Sequence, residues 1–177
     1  MSNLDIASYN RQGKCFSGAN VSAKALTAVA AAMTGLILYN PIGSNKKLLL
    51  VDLGWATSVV GTGVGNLGLA ISPPQGAAPV STGVTTASAV LGADGSGGAN
   101  ASVAKLFDAA TFLTAPVTQR WIGGNIWVTG GTGDHPYQIV DRPEGSVILV
   151  PGAALMFTIV TTVMTGMGHF TWVEVPV

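Results

Sequence analysis

The chain has 177 residues, 48% of them hydrophobic and only 9% charged, against about 25% charged in ordinary soluble proteins. Its eight basic and eight acidic residues cancel, so there is no basic excess to bind the phosphates of a nucleic acid. This length predicts one domain with a sizeable core, and a charge-poor surface without net charge favours association with neighbouring proteins.

The apolar residues do not predict a membrane protein. The longest apolar stretch, from Ala25 to Tyr39, is shorter than the roughly 20 residues that a membrane helix needs. It follows a polar segment containing Asp5, which is not the pattern of a signal peptide. Cys15 is the only cysteine, so an intrachain disulfide is excluded, and this suits a reducing cytoplasm.

The chain begins with two segments of different character. Residues 1–20 are polar and aperiodic, and we expect an extended N-terminal arm there. Residues 21–33 are rich in alanine, which favours a helix, but they lack a strong apolar stripe and run directly into an apolar strand. Helix and strand therefore both remain open for residues 21–33.

From Leu36 onward the signals favour strands. Leu36–Tyr39 and Leu48–Trp55 flank the turn residues Pro41–Asn45, a pattern that predicts a β-hairpin with Lys46 and Lys47 at the end of its loop. Further strand-like segments are 59–71, 117–128, 137–140, 147–150, 154–163 and 169–175. Glycine- and proline-rich loops separate them at 72–83, 95–98 and 130–136, and residues 101–112 fit a strand or one helical turn.

Eight or nine short strands without long amphipathic helices between them predict an all-β fold. The spacing is typical of an antiparallel β-sandwich or barrel. We therefore expect residues 21–177 to form a single β-sandwich domain behind the N-terminal arm.

No motif of the chain predicts an enzyme, a cofactor site or a metal site. Gly63–Gly68 matches GxGxxG, but Pro73 and Pro74 follow too soon for the helix that would bind a pyrophosphate. The two histidines, His135 and His169, have no metal-ligand spacing. Cys15 has Lys14 beside it but no histidine nearby in sequence. We expect a non-catalytic protein.

One cluster of residues leaves a binding function open. Three acidic residues lie near three aromatic residues in the sequence, and aromatic side chains beside acids can form a carbohydrate-binding platform. A charged surface loop between two strands is the simpler interpretation of the acidic residues. The residues concerned are Asp134, Asp141, Glu144, Trp121, Trp127 and Tyr137.

Three segments resemble parts of small virion proteins of tailed bacteriophages. Residues 38–50 (LYNPIGSNKKLLL) resemble a hairpin of these proteins, residues 150–155 (VPGAAL) resemble a turn before a late strand, and residues 170–177 (FTWVEVPV) resemble their closing strand. The resemblance implies a jelly-roll-like β-sandwich and, most closely, a head decoration (cement) protein. It implies no catalytic residues.

The resemblance also implies the partners and the location of the chain. A cement protein would bind the major capsid protein and its own copies, as a homotrimer, on the surface of a particle assembled in the host cytoplasm. A tail, neck or fibre-associated virion protein is the alternative, and a carbohydrate- or receptor-binding module is a further one. The polar arm would suit contacts between subunits. The candidate interface residues are Asn3, Arg11, Lys14, Lys46, Lys47, Trp121 and Trp127.

Overall fold

A computed structural model describes residues 5–60, 64–80, 91–92, 102–126, 138–160 and 164–177. Within these residues one short helix, α1 (Ile6–Arg11), precedes a series of strands. The strands are β1 (Cys15–Ala19), β2 (Lys24–Ala25), β3 (Ala32–Tyr39), β4 (Lys46–Val60), β5 (Val64–Ser72), β6 (Leu91–Gly92), β7 (Lys105–Thr111), β8 (Val117–Ile126), β9 (Gln138–Asp141), β10 (Ile148–Leu149), β11 (Ala154–Val160) and β12 (Met164–Pro176).

The strands form two antiparallel sheets that pack against each other. The first sheet has the order β10-β4-β12-β1-β6, with β2 also paired to β12 and β9 also paired to β4. The second sheet has the order β7-β3-β11-β5-β8. The expectation of an all-β antiparallel sandwich is confirmed.

The order of pairing identifies the topology. Strand β1 pairs with β12, β3 with β11, β4 with β9 and β10, and β5 with β8. One neighbour of each of these early strands is thus the corresponding strand counted back from the end of the chain. Further pairings, such as β4 with β12 and β5 with β11, join these pairs into the two sheets. This is a long antiparallel hairpin rolled into two sheets, which is the jelly-roll arrangement.

The main core lies between the sheets and centres on aromatic rings. Phe157 of the second sheet stacks on Phe170 of the first, with ring centroids 4.9 Å apart and planes 9° from parallel. The ring centroids of Trp55 and Phe157 are 5.4 Å apart, and those of Trp172 and Phe16 are 6.3 Å apart. These rings dominate the burial because each removes a large apolar area from water.

Two smaller apolar clusters lie on the outer faces of the sheets. Met33, Ile37, Tyr39, Phe107 and Met156 are the larger members of a cluster on the second sheet, with Phe112 and Val29 packed against them. On the first sheet, Cys15, Val51 and Val173 are buried with Ile6 and Tyr9 of α1 packed onto them. The helix therefore covers one end of the outer face of the first sheet.

The beginning of the chain differs from the extended arm expected for residues 1–20. Asp5 caps α1 by accepting a hydrogen bond from the Ser8 N–H at 3.0 Å, and β1 lies between β12 and β6 in the first sheet. The polar composition concealed this strand because only Cys15 and Phe16 of its five residues are fully buried. Residues 1–4 lie outside the described residues.

Residues 21–33 form strand and coil. Lys24 and Ala25 pair with Thr165 and Gly166 of β12, and the segment continues through the buried Leu26 into β3. In this segment, burial against the sandwich outweighs the helical propensity of alanine.

The predicted hairpin of residues 36–55 is wrong in one respect. The turn is present, with a Ser44 N–H bond to the Pro41 carbonyl at 3.1 Å, but β3 belongs to the second sheet and β4 to the first. The chain crosses between sheets at Asn40, whose side-chain amide donates to the carbonyls of Lys46 and Leu149 at 2.8 and 2.9 Å. Both strands bury their apolar faces in the same core, so a sequence pattern cannot distinguish this corner from a hairpin.

We expect Gly166→Ala to destabilise the fold because β4 and β12 approach closely there. A Cβ at this position would lie 2.3 Å from the Ala56 carbonyl oxygen, so the two strands would have to separate. The expected loss is about 2–3 kcal/mol of unfolding free energy, measured by urea denaturation. Gly76→Ala is the matched control because no atom lies within 4 Å of its Cβ position. Equal stability of the two variants would disprove the close approach.

A second stability prediction concerns the turn between β9 and β10. The Ser146 N–H bonds to the Pro143 carbonyl, and both central residues, Glu144 and Gly145, have positive φ (49° and 84°), as in a type I′ turn. Glutamate is disfavoured in this conformation, so Glu144→Asn should raise the unfolding free energy by about 1 kcal/mol. Glu144→Gln removes the charge but retains the backbone strain and should leave stability unchanged. If both variants stabilise equally, charge and not backbone conformation is responsible.

Candidate interaction surface

The outer face of the first sheet is exposed beyond the end that α1 covers. Along β12 the buried residues Phe170 and Trp172 point into the core, so the alternate residues point outward, and the cross-strand register extends this face to β1, β4 and β9. We call these residues the bare face. They are Ser17, Ala19, Asp52, Gly54, Ala56, Ser58, Gln138, Val140, Thr165, Met167, His169 and Thr171.

The bare face combines polar side chains with small and apolar ones, and its two largest apolar side chains are well exposed. Met167 and Val140 are 44% and 50% exposed. They lie on either side of β4, where Ala56 is opposite Met167 and Gly54 is opposite Val140. Between them, β4 presents only small residues, Gly54 and Ala56, on this side.

The charges on the bare face are paired with each other. His169 Nε2 lies 2.8 Å from Asp52 Oδ1, and Arg142 Nε lies 3.4 Å from Asp52 Oδ2. Gly54 leaves room for the imidazole, because a Cβ there would be 2.3 Å from His169 Cε1. The carboxylate of Asp52 is thus contacted by two side chains of the same chain, the imidazole of His169 and the guanidinium of Arg142.

The edge of the sandwich beside the bare face is closed by another ion pair. Arg120 of β8 in the second sheet contacts Asp141 of β9 in the first sheet through one guanidinium nitrogen. The pair joins the two sheets along the edge where β8 and β9 meet. Asp141 therefore has a structural partner, while Glu144 is exposed in the adjoining turn.

Most candidate interface residues are scattered over the described surface. Arg11 and Lys14 are exposed near α1, where the Lys14 ammonium donates to Gln12 Oε1 at 2.9 Å, and Lys47 is half-buried opposite Val175. Lys14 and Lys47 lie on either side of the end of β12, since the Lys14 carbonyl accepts from the Glu174 N–H. Trp121 lies on β8 in the other sheet. Asn3 and Trp127 lie outside the described residues.

Lys46 has a role inside the chain that differs from the expected one. Its ammonium lies 2.7 Å from a carboxylate oxygen of Glu174, which is almost completely buried. The other carboxylate oxygen accepts from Ser102 Oγ at 2.5 Å and the Val103 N–H at 2.9 Å. Lys46 is therefore one of several groups that stabilise a buried charge, and it is not free to bind a neighbour.

The burial of a second carboxylate was also not predicted from the sequence. Asp108 accepts a hydrogen bond from Asn20 Nδ2 at 2.7 Å and lies 3.3 Å from Lys24 Nζ, while Asn20 Oδ1 accepts from the Gly168 N–H at 2.9 Å. The available signal was a single acid within an apolar strand, in KLFDAAT for Asp108 and in TWVEVP for Glu174. Buried acids of this kind need partners, which the sequence alone does not specify.

The tryptophans differ clearly in how much of each side chain is exposed. Trp55 and Trp172 lie in the core, whereas Trp121 is 48% exposed on the outer side of the second sheet. Of the residues that suggested a carbohydrate platform, Trp127, Asp134 and Tyr137 lie outside the described residues, as does His135.

The other motifs tested in the sequence have structural positions. The described part of the glycine motif, 64–68, lies in strand β5 and does not open a helix. Across the described ranges, no group of three or more histidine, cysteine, aspartate or glutamate side chains is placed to hold a metal ion. No helix among the described residues has both the length and the apolar character needed to cross a membrane.

The chain was also compared with known proteins. A scan against protein-family models found no match, and searches of curated proteins and of solved structures found none either. The function is therefore inferred from the residues and geometry of the chain itself.

The two adjacent lysines of β4 allow a direct test of these assignments. Lys46→Met leaves the buried carboxylate of Glu174 without its cation, and we expect it to lower the unfolding free energy by about 2 kcal/mol, since Lys46 is partly exposed. Lys47→Met removes the same charge at the adjacent residue, which forms no ion pair with any described residue, and should change stability by less than about 0.5 kcal/mol. Thermal and urea denaturation measure both, and a Lys46 variant as stable as the Lys47 variant would disprove the structural role.

Proposed function

We propose that this chain is a structural, non-catalytic subunit of a tailed-bacteriophage particle, and specifically a decoration (cement) protein of the head. Its partners would be the major capsid protein and further copies of itself, arranged as a homotrimer on the particle surface. The jelly-roll topology is compatible with this role, because the same architecture recurs in viral capsid domains. Topology alone does not determine function, so the proposal depends on the properties of the surface.

The observation that carries the proposal is the bare face. A sheet face with exposed Met167 and Val140, small neighbours and internally paired charges matches an interface core, where charged residues are depleted. A protein that functions alone gains nothing from exposing such a face. A partner that covers it does not have to neutralise an unpaired charge.

The size of the bare face favours attachment through several contacts at once. Two strands with seven residues each and two with three each, about 4.8 Å apart and about 3.4 Å per residue, give an area of roughly 330 Å². A stable interface between two proteins usually takes about 800 Å² from each partner. One bare face is therefore too small for tight binding alone, whereas a particle that presents many sites multiplies weak contacts through avidity.

The decisive experiment is to locate the chain in purified particles. Cryo-electron microscopy together with quantitative mass spectrometry gives its position and copy number. A high copy number on the head surface is the expected result. A position in the tail or neck would replace the cement assignment but retain a structural role, and absence from the particle would overturn the proposal.

A charge placed on the bare face should prevent attachment. Met167→Glu puts an unpaired carboxylate in the contact, and we expect particle occupancy to fall about tenfold or more in a rebinding assay. The isolated variant should remain as stable as the original, because the side chain is exposed. Leu113→Glu, at a position that is 71% exposed between β7 and β8, is the matched control and should bind normally. Equal binding by the two variants would show that the bare face is not the contact.

A further inference from the structure

The pairing of strand β8 with β5 has two irregularities, one on each side of Arg120 and Trp121. Opposite β5, Thr118 pairs with Ala70 and Arg120 with Leu69, which leaves Gln119 as an extra residue. Trp121 pairs with Gly68 and Gly123 with Leu67, which leaves Ile122 as a second extra residue. Two β-bulges thus bracket Arg120 and Trp121.

The first bulge exchanges the faces on which these two side chains lie. On β5, Leu67 and Leu69 point into the core and Gly68 points outward. With the bulge, Arg120 is opposite Leu69 on the core side and Trp121 is opposite Gly68 on the outside. Without it, a regular ladder would place Arg120 outside and Trp121 opposite Leu67 in the core, because a one-residue shift reverses every side chain. Ile122, the extra residue of the second bulge, follows on the core side and packs against the main cluster.

This arrangement is the reverse of what burial favours. Trp121, a large apolar side chain, remains 48% exposed, while Arg120 is turned toward the core side and its Nε atom is buried without a hydrogen-bond partner. Bulges of this kind commonly re-aim a side chain at a functional site. A local arrangement that opposes the hydrophobic pattern marks a position where function is expected.

The surroundings of Trp121 indicate the chemistry of its ligand. The indole lies directly on the backbone at Gly68, where a Cβ would be 2.6 Å from Trp121 Cε3. On the same face, two residues along β5, Asn66 is exposed and lies opposite the partly exposed Val160. The two groups that the described residues place side by side on this face, an indole and a side-chain amide, are both uncharged.

We propose that Trp121 and Asn66 form a binding site for a neutral saccharide. The C–H face of a pyranose ring would stack on the exposed indole, and the side-chain amide of Asn66, with two donors and one acceptor oxygen, would bond to ring hydroxyls. Because the indole and the amide are both neutral, this pair of groups gives no electrostatic preference for an acidic sugar. The site goes beyond the proposed particle function and does not depend on it.

The test uses the full-length chain and a panel of neutral trisaccharides: maltotriose, mannotriose and triacetylchitotriose, with sialyllactose as the anionic comparison. The indole N–H signal of Trp121, assigned by its disappearance in Trp121→Phe, is followed in NMR titrations. At least one neutral probe should shift this signal and the Asn66 amide signals while the Trp55 and Trp172 signals stay fixed.

Variants separate a saccharide site from other uses of the tryptophan. Trp121→Ala should weaken binding of the active probe about tenfold or more, and Asn66→Ala several-fold. Val117→Ala, an exposed apolar residue on the same strand, should bind as the original does. Preserved NMR spectra of the remaining residues show that each variant folds.

Two results would overturn the saccharide site. One is the absence of any shift of the Trp121 signal with every probe up to its solubility limit. The other is a change of molecular mass by light scattering in Trp121→Ala, which would make Trp121 part of a contact between protein chains.

Discussion

The stacked rings of Phe157 and Phe170 hold the two sheets together at the centre of the sandwich. Phe157 also contacts Trp55, and both rings fit only because β12 carries glycine at alternate inward positions: a Cβ at Gly168 would lie 2.6 Å from Phe157, and one at Gly166 would lie 2.8 Å from Trp55. Strand β12 can therefore lie centrally between β4 and β1, with its outward residues forming the middle of the bare face.

The polar networks explain why so little charge is available at the surface. Four ion pairs between lysine or arginine and an acid occur among the described residues, and two of them hold the buried carboxylates Glu174 and Asp108. These groups join distant segments of the chain, so removing one partner costs more than an exposed pair would contribute. A chain that begins with few charges thus uses several of them internally, and its surface interactions depend mainly on apolar and neutral polar groups.

The sequence predicted the class of fold because strand signals are local, but it could not predict which strands pair. The strand over residues 169–175 and the turn at Pro41–Asn45 were both predicted from local signals and are present. The corner at Asn40 and the position of β1 between β12 and β6 depend on contacts between residues far apart in the chain. The candidate site was predicted less well, because the composition indicated association while the single residues chosen did not form one surface.

Bulges are the main reason why exposure could not be read from the pattern. One interrupts the pairing of β4 with β12 near Val51, so that Leu50 and Leu53 both face the core. The bulges at Gln119 and Ile122 determine that Trp121 points outward. A strict alternation of period two fails at each of these positions, and the register is known only when the partner strand is known.

The two proposed surfaces lie on opposite sides of the sandwich, since the bare face belongs to the first sheet and Trp121 to the outer side of the second. The core between them separates Met167 from Trp121, and no ion pair or hydrogen bond described above joins the two side chains. Independent sites at such a separation usually have additive effects. A subunit attached through the bare face would therefore leave the indole open to solvent, so attachment to a particle and saccharide binding can operate on the same molecule without competing.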